Sequence, residues 1–345
     1  MRKLFHAKAA ALALAAILAP GAASAETLVV SSWGGSWQQM IADTIAEKFT
    51  ETTGADVEFV TGGTIDRLNK AKLAAGDPES DVTLTTSHVG WLYQSSDLFE
   101  TLDYAKIPNA EAVFPEAKIS PDHVGVWSYV YTIGYRPDLL PEGVDFDSWE
   151  DLWAPEMAGT LGLPDFDPSH IIAVSAILSG ATPETWEKGQ DKLLALKPSI
   201  KAFYTNDASS QQMMSAGETA VQVLLSGNAF YQMDQGVDLK LVIPKEGAII
   251  GIDAIGIMKG TDKTELAYQF INAAFDPEVQ AEIAAIKKLG PMVPGAPIDP
   301  AIAELPGVFT TTEQWDEQAL VIDHKLRAEK LGEWKQWFTE NMIAQ

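Results

Sequence analysis

Two long strand-like runs constrain most strongly what this chain can fold into. The first, Trp127 to Tyr135 (WSYVYTIGY), mixes aromatic and β-branched residues. The second, Ala248 to Met258, is apolar and interrupted by glycine. Such side chains suit a pleated, half-buried surface, and each run is long enough to pass from one compact body into another. Around them the pattern alternates strand and helix. Thr27 to Ser31 (TLVVS) reads as a short buried strand, broken by Gly34-Gly35. Trp37 to Phe49 has helical spacing, with Met40, Ile41, Ile45 and Phe49 on one side, and Gly54 is placed to close it as a left-handed cap. Val57 to Val60, a helix over 65–75 ended by Gly76, and a strand over 81–84 continue the series. Alternation of this kind predicts a parallel sheet with helices on both faces. A Pro/Asp-rich loop, Pro137 to Glu150, leads into a short helix at Trp149 to Trp153. A second α/β series follows, with strands at 160–163, 201–204, 220–225 and 239–243 and helices at 171–179, 185–196 and 209–215. After the second long run the chain reads as helical, over 263–275, 277–288 and a long amphipathic segment from 311 to 342.

The chain is therefore expected to leave one lobe near residue 130 and return near residue 250. The expected division is a signal peptide over 1–25, a first lobe from 26–130 plus 252–310, a second lobe over 131–251, and a C-terminal helical segment over 311–345. Arg2, Lys3 and Lys8, the apolar run Ala9 to Ala19 and the small-x-small triplet Ala23-Ser24-Ala25 make the secretory pattern, with cleavage before Glu26. That run falls short of the roughly 20 apolar residues a membrane span needs. The remaining chain of about 320 residues exceeds what one hydrophobic core usually serves. No cysteine is present, so neither a disulfide nor an acylated-cysteine tether is available. These features predict a monomeric protein released into the periplasm, with no cofactor and no metal.

Charge narrows the partners. The chain holds 48 acidic against 24 basic residues, a formal charge of −24, with a pI near 4.4. Binding to nucleic acid or to an anionic membrane needs clustered Lys and Arg, so neither is expected. A cationic solute is compatible with this field; so is a charge that serves only solubility. The signatures of a secreted hydrolase, G-x-S-x-G and H-E-x-x-H, are missing, as are C-x-x-C and a Walker lysine. His88, His123, His170 and His324 form no i,i+4 pair that would suggest zinc. Tyr129 and Tyr131 are not adjacent, unlike the tyrosines of iron(III) binders. Open α/β sheets bind ligands beyond the carboxyl ends of their strands, and two facing sheets make a cleft that closes by a hinge. The candidate cleft residues are then Trp33, Gly35, Ser36 and Trp37 after the first strand, and Ser87 and His88 after the third. Trp127 and Tyr129 lie on the first crossover, and Asp165, with Asp167 and His170, follows the strand at 160–163. Ser226 and Asn228 lie beyond the strand at 220–225. Asp253 is an acid inside an apolar run, costly unless paired. Trp315, Trp334 and Trp337 read as helix packing.

Several segments, taken in order, resemble the spermidine/putrescine-type periplasmic binding proteins of ABC transporters. They are SSWGGSW (31–37), TSHV (86–89), WSYVYTIGYRPDLLP (127–141), SWEDLWAPEMAGTLGLPD (148–165), LLSGNAF (224–230), VIPKEGAIIGIDAIGI (242–257) and AYQFINAAFDPEVQ (267–280). The resemblance implies a type II periplasmic binding fold, two α/β lobes joined by a two-crossover hinge. It also implies a small amine between the lobes and docking onto an inner-membrane ABC permease. In the family, carboxylates hold the ammonium groups and aromatic rings line the methylene chain. Carried over by position, Trp37 is an aromatic wall, Asp253 an ammonium anchor and Asp165 a second anchor. The departures are Ser36 in place of an acid, Ser87 and His88 in place of a tyrosine pair, and Leu225 and Gly251 in place of tryptophans. Ser169 to Ile172 also holds no glutamate. A cage thinned in this way also suits a zwitterion, an opine-like compound or an organic acid.

Overall fold

A computed structural model describes residues 26–344, so the expected signal peptide lies outside the described residues. The strands in chain order are β1 (Thr27–Ser32), β2 (Asp56–Thr61), β3 (Val82–Thr86), β4 (Val124–Tyr135), β5 (Leu161–Pro164), β6 (Ile200–Tyr204), β7 (Val221–Leu225), β8 (Lys240–Val242) and β9 (Ala248–Ile257). Short bridges follow at β10 (Gly290–Pro291) and β11 (Ala319–Leu320). The main path runs β2-β1-β3-β9-β4-β7-β5-β6. β1 pairs parallel with β2 and β3, and β5 pairs parallel with β6 and β7. The two long runs are the exception to the parallel sheet that alternation predicts. β9 is antiparallel to β3 and β4, and β4 is antiparallel to β7. The reason is connectivity: β4 carries the chain out of one lobe and β9 carries it back, so the two must oppose each other.

The buried apolar side chains fall into two main clusters. One gathers residues of β1, β3 and the first half of β4 with Phe270, Phe275, Phe309 and Trp315. The other gathers Ile133, Tyr135, Trp149, Leu161, Ile171 and Val223 with Trp334, Phe338 and Met342 from the end of the chain. Tyr129 packs against both, so β4 joins the two cores.

The helices follow the sequence pattern in the main, although the one expected over 185–196 is a 3-10 run, Pro183–Gly189, continued by the short α-helix Gln190–Ala195. The first helix, over 36–53, carries a π turn at Ala42–Ala46 and ends at Gly54 with φ 74°, a conformation glycine adopts without strain. The segment from 311 is not one helix. It forms Thr312–Gln318, the bridge β11 against β9, and then a C-terminal helix His324–Phe338 capped by the Asp323 side chain. Two helices escaped the pattern, Ser87–Ser95 and Ser226–Asp234, each starting directly where β3 or β7 ends. Their glycines, Gly90 and Gly227, weaken helix propensity. Gly90 is held by packing, since a Cβ there would lie 2.7 Å from the His123 ring. Among the described residues no helix is long and apolar enough to cross a membrane.

Candidate functional site

Strand register builds the inner end of the cleft. Trp127 pairs with Asp253 and Tyr129 with Gly251 across β4 and β9. Thr86 of β3 also pairs with Asp253, and Tyr131 pairs with Leu225 of β7. Directly paired residues share a sheet face, and so do alternate residues along a strand. Asp253, Trp127, Tyr129, Tyr131 and Leu225 therefore stand on one face, at the seam between the lobes. Gly251 makes this possible: a Cβ there would lie 2.0 Å from Cε2 of Tyr129, so the ring occupies the space of the missing side chain. The phenol reaches diagonally and donates to Asp253 Oδ1 at 3.1 Å, while Trp127 Nε1 donates to Oδ2 at 2.8 Å.

Asp253 is 4% exposed, and no protein cation pairs with it among the described residues. Burial pushes its carboxyl up to about 7, against the opposing pull of Trp127, Tyr129, Arg67 and Arg327. The Tyr129 phenol is raised well above its usual range by burial and by the Asp253 charge beside it.

A second buried cluster comes from the C-terminal helix. Arg327 Nη2 donates to Asp167 Oδ2, and the same nitrogen lies 3.1 Å from His170 Nε2. Asp167 also accepts from Ser169 N at 3.1 Å. The His170 ring stacks on Tyr131 at 3.9 Å. One turn earlier, His324 Nδ1 meets Ser87 Oγ at 2.8 Å, so this helix touches both lobes. Burial alone would raise Asp167; the Arg327 guanidinium and the Ser169 hydroxyl that donates to the carboxylate outweigh it and hold the carboxyl well below the usual range. Burial lowers His170 and His324 to about 4 and His88 well below its ordinary value, with the Arg327 charge adding to the effect. All three imidazoles are therefore neutral at pH 7.

Toward solvent the seam opens into a cavity of about 490 Å³. Ser36, Trp37 and Lys287 form one wall, and Asp207, Gln211, Asn228 and Tyr231 the other. Trp37 stacks on Trp127, with centroids 6.0 Å apart and planes at 20°, and leans on Trp33 at 5.9 Å. Lys287 sits 5.1 Å above the Trp37 ring and donates to Ser36 Oγ at 2.7 Å. Lys288 pairs with Asp234 across the mouth. A concavity of about 560 Å³ lies elsewhere, on the outer side of the first lobe around Ala71, Pro78 and Lys259. It contains none of the buried charged groups of the seam, so the cleft is the stronger candidate.

The sequence-predicted residues divide accordingly. Ser36, Trp37 and Asn228 line the cavity. Trp127 and Asp253 lie buried behind it with the half-buried Tyr129, joined to it by the stack of Trp37 on Trp127, and Ser87 and His88 lie beside the C-terminal helix. Four sit differently. Trp33 is half-buried and donates from Nε1 to Thr64 Oγ1 at 2.9 Å. Gly35 is exposed at the start of the first helix, with φ 64°. Ser226 is buried, and its Oγ accepts from Val130 N at 3.3 Å. Asp165, at the end of β5, is half-buried, and its backbone N–H donates to Tyr204 O at 3.1 Å; the carboxylate inside the cluster is Asp167. Sequence reasoning missed Arg327, His324, Tyr131 and Asp207. Arg327 stands in the ordinary charged stretch HKLRAEK, and only the tertiary pairing with Asp167 distinguishes it from a solvated helix face.

Residues 44–310 match the profile of the bacterial extracellular solute-binding protein family. The chain belongs to this family. It is 26% identical over 342 residues to the putrescine-binding periplasmic protein SpuD of Pseudomonas aeruginosa, spanning 91% of this chain and 92% of the relative. It is 27% identical over 275 residues to the putrescine-binding periplasmic protein PotF of Escherichia coli, spanning 72% and 74%. Among solved structures, an ABC transporter from Clostridium perfringens superposes with a TM-score of 0.80 at 26% identity, over 91% of this chain and 99% of that one. The fold is the two-lobed periplasmic binding fold.

Proposed function

We propose that this chain is the periplasmic component of an ABC importer, and that it holds a small amine between its lobes and carries it to an inner-membrane permease. Asp253 carries this reading. It is an enclosed carboxylate, oriented by two aromatic donors and paired with no protein cation among the described residues. Leaving such a carboxylate charged is costly without a counter-ion, and an ammonium group supplies one. Trp37, on the cavity wall and stacked on the buried Trp127, offers aromatic surface to methylenes or to the cation. The putrescine-binding names of the relatives support an amine as the solute.

In this reading the protein acts by binding alone, without a chemical step. The lobes, 26–130 with 252–310 and 131–251, swing about β4 and β9, and the segment 311–345 spans them. The leader 1–25 directs export and is removed before Glu26. A thermal-shift screen of the mature protein against primary amines tests the proposal, because a ligand that binds only the native state raises Tm. An amine hit that disappears in Asp253→Asn is the expected result. A screen in which no amine shifts Tm, or one in which Asp253→Asn keeps the full shift, contradicts it.

A further inference from the structure

The whole chain is acidic by two to one, 48 acids against 24 bases, yet the cleft is balanced. Its enclosed carboxylates are Asp253 and Asp167, and Asp207 lines the cavity. The matching cations are Arg327, buried in the seam, Lys287 on the cavity wall, and Arg67, buried beside the seam over Trp33 and held by Ser31 Oγ and Leu84 O. Asp234 and Lys288 at the mouth cancel each other. His88, His170 and His324 are held neutral by burial. Three acids therefore face three cations before any solute enters. A diamine would leave the closed cleft two charges positive and a monoamine one. Uncompensated charge in such an enclosure costs several kcal/mol per ion. A solute with one positive and one negative group leaves the balance at zero.

The unpartnered donors show where the negative group belongs. Arg327 is 5% exposed; its Nη2 serves Asp167 and His170, but its Nε is buried without a partner among the described residues. His88 Nδ1 is likewise buried and unpartnered. Buried polar atoms left without a partner are rare in folded proteins and costly. The Arg327 guanidinium meets His170, whose ring stacks on Tyr131 of the seam, and His324, one turn earlier, meets Ser87 beside His88, so the guanidinium lies between both sides of the seam.

We infer that the solute is a zwitterion, an amino acid whose ammonium pairs with Asp253 and whose carboxylate accepts from Arg327 Nε and His88 Nδ1. The inference rests on the amine reading above and narrows it. Asp167 then acts as a positioning residue, holding the guanidinium by Nη2 so that Nε faces the solute. Ser36, where polyamine binders carry an acid, fits the same logic, because a further acid at that wall would tip the balance negative.

Calorimetric titration of the full mature chain tests this, using unbranched ω-amino acids of two to six carbons. Each is compared with the diamine, the monoamine and the dicarboxylate of the same length. At one length the amino acid is expected to bind at least 100-fold tighter than its three counterparts. In Arg327→Gln that preference should collapse by 50-fold or more, and the monoamine should bind at least as tightly as in the wild type, because one cation of the balance is gone. Because Asp167 loses its partner in that variant, the double variant Asp167→Asn/Arg327→Gln serves where the single one does not fold; it keeps the charge balance, so the preference should again collapse while the monoamine stays within about threefold of its wild-type affinity. A diamine or monoamine that binds the wild type as tightly as every amino acid overturns the inference and leaves the amine reading standing. Binding by a dicarboxylate with no amine overturns both. Failure of every amino acid in the series to bind also overturns the inference.

Discussion

At the scale of single residues, Asp253 sets the chemistry. Its carboxyl sits near pH 7 because burial outweighs the two hydrogen bonds from Trp127 and Tyr129. An ammonium binds the ionised form, so solute binding must release the proton that Asp253 carries below about 7. Affinity should be flat above that pH and fall about tenfold per pH unit below it, reaching roughly 100-fold by pH 5. Titrations at stepped pH check this, and a flat profile from pH 8 to 5 would contradict it. The stability sign is opposite. The folded state keeps a proton that the unfolded chain releases between about 4 and 7, so Asp253 supports the unliganded fold at low pH and weakens it as pH rises through 7. Asp253→Asn should therefore raise the Tm of the unliganded protein at pH 8 while it abolishes the ligand-induced shift, the trade between stability and function expected of a binding site. This acid was visible in the sequence because an apolar run offers no reason for a carboxylate. Arg327 was not visible, because nothing in HKLRAEK separates a buried guanidinium from a solvated one.

At the scale of elements, the β4–β9 ladder does the positioning. The register that sets Tyr129 against Gly251 allows the phenol to reach Asp253. Gly251→Ala should drive the ring away, since the added Cβ would lie 2.0 Å from it. We expect at least a tenfold loss of affinity and a destabilisation of about 1–3 kcal/mol from overpacking. Tyr129→Phe, which keeps the ring and loses one hydrogen bond, should cost only about 1 kcal/mol of binding. Equal effects of the two substitutions, measured by calorimetry and thermal melts, would show that Gly251 has no such role. The long runs announced β4 and β9 through their aromatic and β-branched content, but their mutual orientation follows from how the chain connects, which composition does not encode. The helices Ser87–Ser95 and Ser226–Asp234 escaped for a different reason. Their glycines lower local propensity, and tertiary contact, such as His123 against Gly90, overrides it.

At the scale of the whole molecule, two cores meet along one seam, and the chain end crosses that seam. Trp334, Phe338 and Met342 pack into the second core, while His324 reaches Ser87 of the first lobe and Arg327 reaches Asp167 of the second. The alternating pattern and the two long runs made a two-lobed fold legible. The seam's contents were legible only in part, because they converge from many separate stretches of chain, from Ser36 to Arg327. The central claim is that the seam is the binding site and that Asp253 is its ammonium anchor. A crystal structure with the tightest-binding amine tests it most directly. The account predicts the solute enclosed by both lobes, its nitrogen within hydrogen-bond distance of the Asp253 carboxylate and its chain against Trp37 or Trp127. A solute seated on one lobe only, for instance in the concavity near Ala71 and Lys259, or held in the cleft with its nitrogen away from Asp253, would contradict it.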